Sequence, residues 1–255
     1  MTPSTQPLWL HLRLAKLAKR AYSESTFIAG EAECLAEIVN GELWLAMCGT
    51  EMAGRKEDSF WQRMKSRVID TLNDIRAMPE RAMIGRVHRG FYSGVGGGAL
   101  GVFKLVVEAY DSSYPVRVTG HSKGGGEARL LAAMLASVGY DVLSLVDFAS
   151  PRAVVGRCWP LGMIDEVVAY RHGSDLITAL PRGWLWSYKH PHEVDQGIQI
   201  QIGEAYSRKR LSVSRYHSMD YYLQALSKAL VLIDGSPMEY IREEEVRRGR
   251  RFGWR

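Results

Sequence analysis

Apolar and polar positions follow helical spacing at the start of the chain and strand-like spacing soon after it. Residues 7–20 interleave Leu and basic side chains and predict an amphipathic helix that packs by its Leu face. The apolar runs 34–39 and 42–48 flank Asn40-Gly41, a dipeptide suited to the positive φ angles of a tight turn. These two runs are therefore predicted to form an antiparallel hairpin.

Helical and strand-like patterns alternate through the rest of the chain. The predicted strands cover 116–119, 142–148 and 167–170, and the predicted helices cover 99–110, 124–138 and 218–232. This alternation is typical of an α/β fold with a mostly parallel central sheet and helices on both faces.

The length of 255 residues fits one large domain, and no linker rich in Pro, Gly or Ser divides it. We predict a single domain over residues 1–246, followed by a basic tail over 247–255. The charged segment 51–79 carries apolar residues, among them Phe60 and Trp61, at roughly helical intervals and predicts a helical excursion.

The sharpest chemical signal is a G-x-S-x-G pattern, Gly120-His121-Ser122-Lys123-Gly124, between a predicted strand and a predicted helix. A nucleophile elbow needs this context, because its serine occupies a strained turn whose neighbours leave no room for a Cβ. The alternatives are a phosphate-binding turn, for which the Walker order is missing, and a turn that simply ends the strand. The pattern therefore favours Ser122 as a nucleophile.

A serine hydroxyl needs a base that a carboxylate orients, and in this architecture the chain order is Ser, acid, His. Asp175 follows a predicted strand in a loop and is the preferred acid, with Asp147 as the competitor. His217, at the entry of the last helix, is the preferred base, with His190 as the runner-up.

The developing oxyanion needs two hydrogen-bond donors. One is the backbone N–H of Lys123, the residue after the nucleophile. Thr50 ends an early strand after a glycine and can offer both its N–H and its hydroxyl.

These segments together resemble the class 3 lipase family, the fungal-lipase-like branch of the α/β-hydrolases. The family's motifs are matched in order along the chain. The matches are Cys48-Gly49-Thr50, His88-Arg89-Gly90-Phe91, Gly120 to Gly125, Phe148-Ala-Ser-Pro-Arg152, Asp175 with Leu180-Pro181, Tyr188 with His190 and Glu193, and His217 to Leu223.

The resemblance implies an α/β-hydrolase fold with Ser122 as nucleophile, Asp175 as orienting acid and His217 as base. It implies an oxyanion hole made by Thr50 and the Lys123 N–H. The reaction that it implies needs no metal or organic cofactor. It also makes His190 a structural or rim residue.

Three positions depart from the family's pattern. Cys48 stands for an Arg, Ala149 for a Gly, and Lys123 for a usually apolar residue. A lysine at the mouth of the acyl pocket leaves room for polar or anionic esters.

By the same resemblance, segment 51–79 takes the place of a lid. Phe60 and Trp61 are candidates for its substrate-facing side, with packing onto the sheet as the alternative. Trp184 and Trp186 could form an apolar substrate rim, and core packing explains them almost as well.

The sequence thus predicts a serine hydrolase that cleaves carboxylic esters, a lipase, phospholipase or esterase. The alternatives are a polysaccharide or feruloyl-type esterase, and a catalytically silent binding module on the same fold.

Composition and charge add the expected setting. Hydrophobic residues make up 46% and charged residues 24%, which excludes a disordered chain, a collagen-like fibre and a disulfide scaffold. The net charge of +5 resides in the tail, because removing the five Arg of 247–255 leaves 28 basic and 28 acidic residues. That tail could bind an anionic membrane surface, whereas nucleic acid is not expected.

The sequence contains no recognisable secretory signal and no apolar stretch long enough to span a membrane. A cytoplasmic location is expected by default, with leaderless export or release on lysis as the other routes.

Overall fold

Two sheets and five α-helices make up the part of the chain that the computed structural model describes, which is residues 7–49, 78–96, 101–156, 160–173, 175–181, 187–194, 196–202 and 216–234. The strands in these ranges are β1 (Phe27–Ala29), β2 (Ala32–Val39), β3 (Glu42–Met47), β4 (Pro79–Ala82), β5 (Gly85–His88), β6 (Val116–His121), β7 (Val142–Phe148), β8 (Val154–Val155), β9 (Val167–His172), β10 (Tyr188–Lys189) and β11 (Ile198–Ile202). The α-helices are α1 (Leu8–Arg20), α2 (Arg89–Val95), α3 (Val102–Ala109), α4 (Lys123–Ser137) and α5 (Met219–Asp234). Short 3₁₀ turns cover Pro160–Met163, Ile177–Ala179 and Pro191–Val194.

The larger sheet has seven strands in the order β1-β2-β3-β6-β7-β9-β11. Strands β1 to β3 pair antiparallel, and β3, β6, β7, β9 and β11 pair parallel. The carboxyl ends of the parallel strands therefore meet at one edge, which is where open α/β sheets bind their ligands.

Two apolar clusters cover the faces of this sheet. On one face, α4 packs on β3 and β6, whose side chains Leu45 and Val118 lie in this cluster, and α3 packs on β1, β2 and α4. On the other face, α1 and α5 pack through Leu14, Leu17 and Tyr222. Both faces are thus buried, as the alternating pattern predicted, and the Leu face of α1 is confirmed.

The predicted hairpin is confirmed, since β2 and β3 pair antiparallel around Asn40 and Gly41, with φ angles of 53° and 81°. The three other predicted strands and the predicted helices 99–110, 124–138 and 218–232 are present, with ends shifted by at most three residues.

A second, four-stranded sheet in the order β10-β8-β5-β4 was not predicted. Its strand β4 begins at Pro79, so the last residue of the predicted excursion 51–79 lies in a strand. Residues 51–77, with Phe60 and Trp61, lie outside the described residues.

No helix in the described ranges is long and apolar enough to cross a bilayer.

Candidate active site

Ser122 occupies the sharp turn between β6 and α4. Its φ of 58° and ψ of −127° are rare for a residue with a side chain. A Cβ on Gly120 would overlap the Gly124 carbonyl, and a Cβ on Gly124 would overlap the Met47 carbonyl. Both glycines of the pattern are therefore required by the packing, and the turn lifts Ser122 above the carboxyl ends of the strands.

Ser122, His217 and Asp175 form one chain of hydrogen bonds. His217 Nε2 lies 2.7 Å from Ser122 Oγ, and His217 Nδ1 lies 2.9 Å from Asp175 Oδ2. The side chains are buried, with relative exposures of 4%, 2% and 0% for Ser122, His217 and Asp175. In this arrangement Nδ1–H donates to the carboxylate, which leaves the Nε2 lone pair for the serine proton.

Asp175 is held on both oxygens. The Ile177 N–H donates to Oδ1 at 3.0 Å, and the Tyr222 hydroxyl donates to Oδ2 at 2.9 Å. That hydroxyl accepts the His172 N–H at 2.9 Å. Burial, followed by the charge of Asp175, raises the pKa of Tyr222 well above its ordinary value, so the hydroxyl keeps its proton and remains a donor. The carboxylate is thus fixed in orientation by groups from β9, its own loop and α5.

His121, the residue before Ser122, contacts the backbone of His217. Its Nε2–H donates to the His217 carbonyl at 2.7 Å, and its Nδ1 accepts the Tyr22 hydroxyl at 2.6 Å. Burial, with the neighbouring His217, lowers the pKa of His121 well below its ordinary value, so the ring stays neutral. Chain order had excluded His121 as the base, and its contacts give it a different part, which is to position His217.

Asp147 and His190, the alternatives to Asp175 and His217, belong to a separate buried network. Arg129 donates to Asp147 through Nε at 2.8 Å and through Nη2 at 2.9 Å, and its Nη1 donates to His190 Nδ1 at 2.8 Å. His190 Nε2–H donates to the Thr178 carbonyl at 2.6 Å. Both ring nitrogens of His190 are therefore engaged by structural partners, and this network braces the loop that carries Asp175.

The described residues around the expected oxyanion hole lie close together. Lys123 opens α4 directly after Ser122, and a Cβ on Gly49 would lie 3.0 Å from the His121 carbonyl and would overlap the Tyr22 ring. Thr50, the other expected donor, lies outside the described residues.

Trp184 and Trp186, the candidate rim residues, also lie outside the described residues.

The side chain of Lys123 is already occupied. Its Nζ donates to the Glu31 carbonyl at 2.8 Å and lies 3.0 Å from Glu127 Oε1. The ammonium is thus held by a buried carboxyl group and a backbone carbonyl, so it is not the isolated lysine that the sequence led us to expect.

Tyr22 and Tyr222 were missed as site residues from the sequence. Tyr222 falls within the terminal motif that was matched to the family, but nothing in the pattern distinguishes a tyrosine that contacts Asp175 from one that packs in the core. Tyr22 follows α1, 100 residues before the nucleophile, and only the fold brings it to His121.

The fold is that of fungal lipases. Rhizomucor miehei triacylglyceride lipase matches with a TM-score of 0.57 and 16% identity, over 80% of this chain and 83% of that one. A lipase from Rhizopus microsporus var. chinensis matches with a TM-score of 0.56 and 17% identity, over 81% of this chain and 78% of that one. A triacylglycerol lipase whose catalytic centre is a serine protease triad matches with a TM-score of 0.56 and 16% identity, over 86% and 94%.

A family comparison extends the match beyond the fold. No curated protein matches the chain by sequence. The family model described as Lipase (class 3) matches residues 54–183, which is about half of the chain. The chain therefore belongs to the class 3 lipase family, and with that family it is a carboxylic ester hydrolase.

Proposed function

We propose that the protein hydrolyses carboxylic esters of lipids through a serine acyl-enzyme, with Ser122 as nucleophile, His217 as general base and acid, and Asp175 as orienting acid. The observation that carries the proposal is the unbroken chain of hydrogen bonds from Ser122 Oγ to Asp175 at a strained strand-to-helix turn.

In the first half-reaction Ser122 Oγ bonds to the ester carbonyl carbon while its proton moves to His217 Nε2. The carbonyl oxygen becomes an oxyanion, and we assign its stabilisation to the Lys123 N–H and to Thr50. When the C–O bond to the alcohol breaks, His217 gives its proton to the leaving oxygen.

In the second half-reaction a water molecule attacks the acyl-enzyme and gives a proton to His217 Nε2. Collapse of the second tetrahedral intermediate releases the carboxylic acid and returns the proton to Ser122 Oγ. Asp175 accepts the Nδ1–H of His217 and stabilises the imidazolium that forms twice in each cycle.

A lipid ester is the substrate class that we favour. The family supports it, and the fungal lipases with this fold include enzymes named for triacylglycerol. The pairing of Lys123 with Glu127 supports it further, because a lysine paired with an ionised carboxylate attracts anionic esters less than a lone ammonium would. Whether the lipid is a glyceride or a phospholipid is part of the test.

The test is a panel of p-nitrophenyl esters of rising acyl length, run beside neutral and anionic phospholipid vesicles, with wild type and Ser122→Ala. We expect wild type to hydrolyse esters and Ser122→Ala to hydrolyse none above background. Wild type without activity on any ester or vesicle would contradict the proposal, and so would a Ser122→Ala variant with full activity.

The basic tail 247–255 is proposed to strengthen binding to anionic vesicles. Deleting it should lower activity on anionic vesicles and spare soluble esters. Equal activity of both forms on both substrates would remove the tail from the mechanism.

A further inference from the structure

The first turn of α4 carries a buried ion pair that the mechanism above does not use. Lys123 and Glu127 are separated by one helical turn, and their side chains are 12% and 0% exposed. Lys123 Nζ also donates to the Glu31 carbonyl. We call Lys123, Glu127 and the Glu31 carbonyl the Lys123 clasp.

The Lys123 clasp joins the first turn of α4 to the turn between β1 and β2. Cys34 pairs with Met47 and the Cys48 N–H donates to Glu33, so the turn that holds Glu31 lies beyond the carboxyl end of β3. That end of β3 packs against α4 so closely that a Cβ on Gly124 would overlap it. The clasp therefore bridges the turn between β1 and β2 and the residue whose N–H follows the nucleophile.

Glu127 is an unfavourable residue for this position on stability grounds alone. Apart from the ion pair with Lys123, neither carboxylate oxygen has a hydrogen-bond partner among the described residues. When an ion pair is buried with so few hydrogen bonds, a protein with an apolar pair of the same shape in its place is usually equally stable or more stable. A stabilising role therefore does not account for the pair.

We propose that Lys123 and Glu127 are positioning residues for the oxyanion hole. By tying the Lys123 side chain to α4 and to the turn before β2, they hold the Lys123 N–H in line with the developing oxyanion. This inference rests on the proposed function, because it requires that the Lys123 N–H donates to the oxyanion.

The charge of Glu127 is open to titration near neutral pH. The groups that the structure places around it are Lys123 on its own helix, Glu31 in the turn before β2, and Cys34 on β2. Burial raises the pKa of Glu127 to about 7, and the ammonium of Lys123 opposes the rise. The clasp is therefore an ion pair at pH 8 and a neutral acid beside an ammonium at pH 6.

The first experiment replaces the pair by apolar residues of similar length, Lys123→Met with Glu127→Leu, which leaves no buried charge unpaired. The matched control is Lys104→Met with Glu108→Leu, an exposed pair of the same spacing on α3. We measure kcat and KM on a soluble p-nitrophenyl ester, the labelling rate of Ser122 by a fluorophosphonate, and the melting temperature.

For the buried pair we expect a melting temperature at or above that of wild type and a KM within about twofold. The kcat and the labelling rate should fall by about 10- to 100-fold, the range expected for a misplaced oxyanion donor. The control should match wild type in all four quantities. Wild-type kcat in the Lys123→Met, Glu127→Leu protein would overturn the positioning role.

The second experiment compares wild type with Glu127→Gln between pH 6 and pH 8. Gln keeps the shape of the side chain and cannot ionise, so the two proteins should have equal kcat at pH 6. At pH 8 wild type should be about threefold faster, because the ionised Glu127 carboxylate binds the Lys123 ammonium more strongly than the neutral amide oxygen of Gln does. Equal kcat values for wild type and Glu127→Gln at pH 8 as well as at pH 6 would overturn the inference.

The two proposals fail in different ways. If the fluorophosphonate does not label wild type, the proposed function fails and the clasp has no oxyanion to serve. If wild type is labelled and the apolar pair is labelled at the same rate, only the positioning role fails.

Discussion

Among the described residues, two buried sets of Asp and His lie against α4, and in only one of these sets does the histidine contact a hydroxyl. In the first, His217 lies between Asp175 and Ser122, with Nε2 against a hydroxyl. In the second, His190 lies between Arg129 and the Thr178 carbonyl, with Nδ1 as acceptor and Nε2 as donor. Burial followed by the charge of Arg129 lowers the pKa of His190 well below its ordinary value.

The difference lies in the partners rather than in the residue types. A histidine acts as a general base when one nitrogen is fixed by a carboxylate and the other faces a reacting group. His190 contacts the guanidinium of Arg129 where His217 contacts a carboxylate. A positive charge on the His190 ring is therefore disfavoured, because it would lie beside the charge of Arg129. The same residue types therefore have the arrangement that we propose for catalysis at one place, and they support the loop of Asp175 at the other.

The largest expected effect separates the two histidines. His217→Ala should lower kcat by about 10⁴- to 10⁶-fold with little change in melting temperature, because the serine loses its base. His190→Ala should lower the melting temperature and keep kcat within about tenfold when it is assayed well below that temperature. Steady-state kinetics and thermal melts of both variants check this, and a reversed pattern would exchange the roles of the two networks.

Substitutions of Asp175 and Asp147 should also have different effects, the first on kcat and the second on stability. Asp175→Asn should lower kcat by about 10⁴-fold, since the amide favours the wrong tautomer of His217. Asp147→Asn removes the charge opposite buried Arg129 and should destabilise the fold by about 3–5 kcal/mol. Urea unfolding and kcat, measured on both variants, test the distinction. Equal losses of kcat in the two variants would remove it.

Glu127 offers a third case, a buried carboxylate that is paired but poorly hydrogen-bonded. Its pKa is raised to about 7, so between about pH 4.5 and pH 7 the folded protein holds a proton that the unfolded chain has released. Its contribution makes the free energy of unfolding fall as pH rises through that window, by on the order of 3 kcal/mol. Glu127→Gln should remove this component, which is measured as the difference between the two unfolding curves at pH 5 and pH 8. An unchanged difference at the two pH values would place the Glu127 pKa outside the window.

The smallest expected effect concerns the support of Asp175. Tyr222→Phe removes the donor to Oδ2 and leaves the His172 N–H without its acceptor. The kcat should fall by about tenfold and the stability by about 1–2 kcal/mol, because the carboxylate keeps the Ile177 N–H. Tyr140→Phe, which removes a hydroxyl bonded to the Tyr110 carbonyl far from this loop, is the matched control and should not change kcat. If the two variants have the same kcat, Tyr222 does not orient the acid.

The site residues with a strict local requirement could be predicted from the sequence. Gly120 and Gly124 could be recognised because a Cβ at either position would overlap neighbouring backbone atoms. The order Ser, acid, His along the chain then indicates Asp175 and His217. Their neighbours Tyr22 and Tyr222 could not be predicted in the same way, because a tyrosine hydroxyl acquires its part only from what the fold brings to it.

The fold shows the same limit. Asn40-Gly41 predicts the hairpin from two residues, because few others adopt those φ angles. Strands β8 and β10 have two residues each and carry no periodicity to detect. Strand β11 was missed although its sequence alternates Ile and Gln, a signal that could have found it.

The central claim is that Ser122 is an activated nucleophile, and covalent labelling measures this most directly. A fluorophosphonate is incubated with wild type and with Ser122→Ala, and the adduct is located by intact mass and peptide mapping. The account predicts one adduct per wild-type chain, on Ser122, with loss of fluoride, and none on the variant. An unlabelled wild type, or an adduct on another residue that persists in Ser122→Ala, would contradict it.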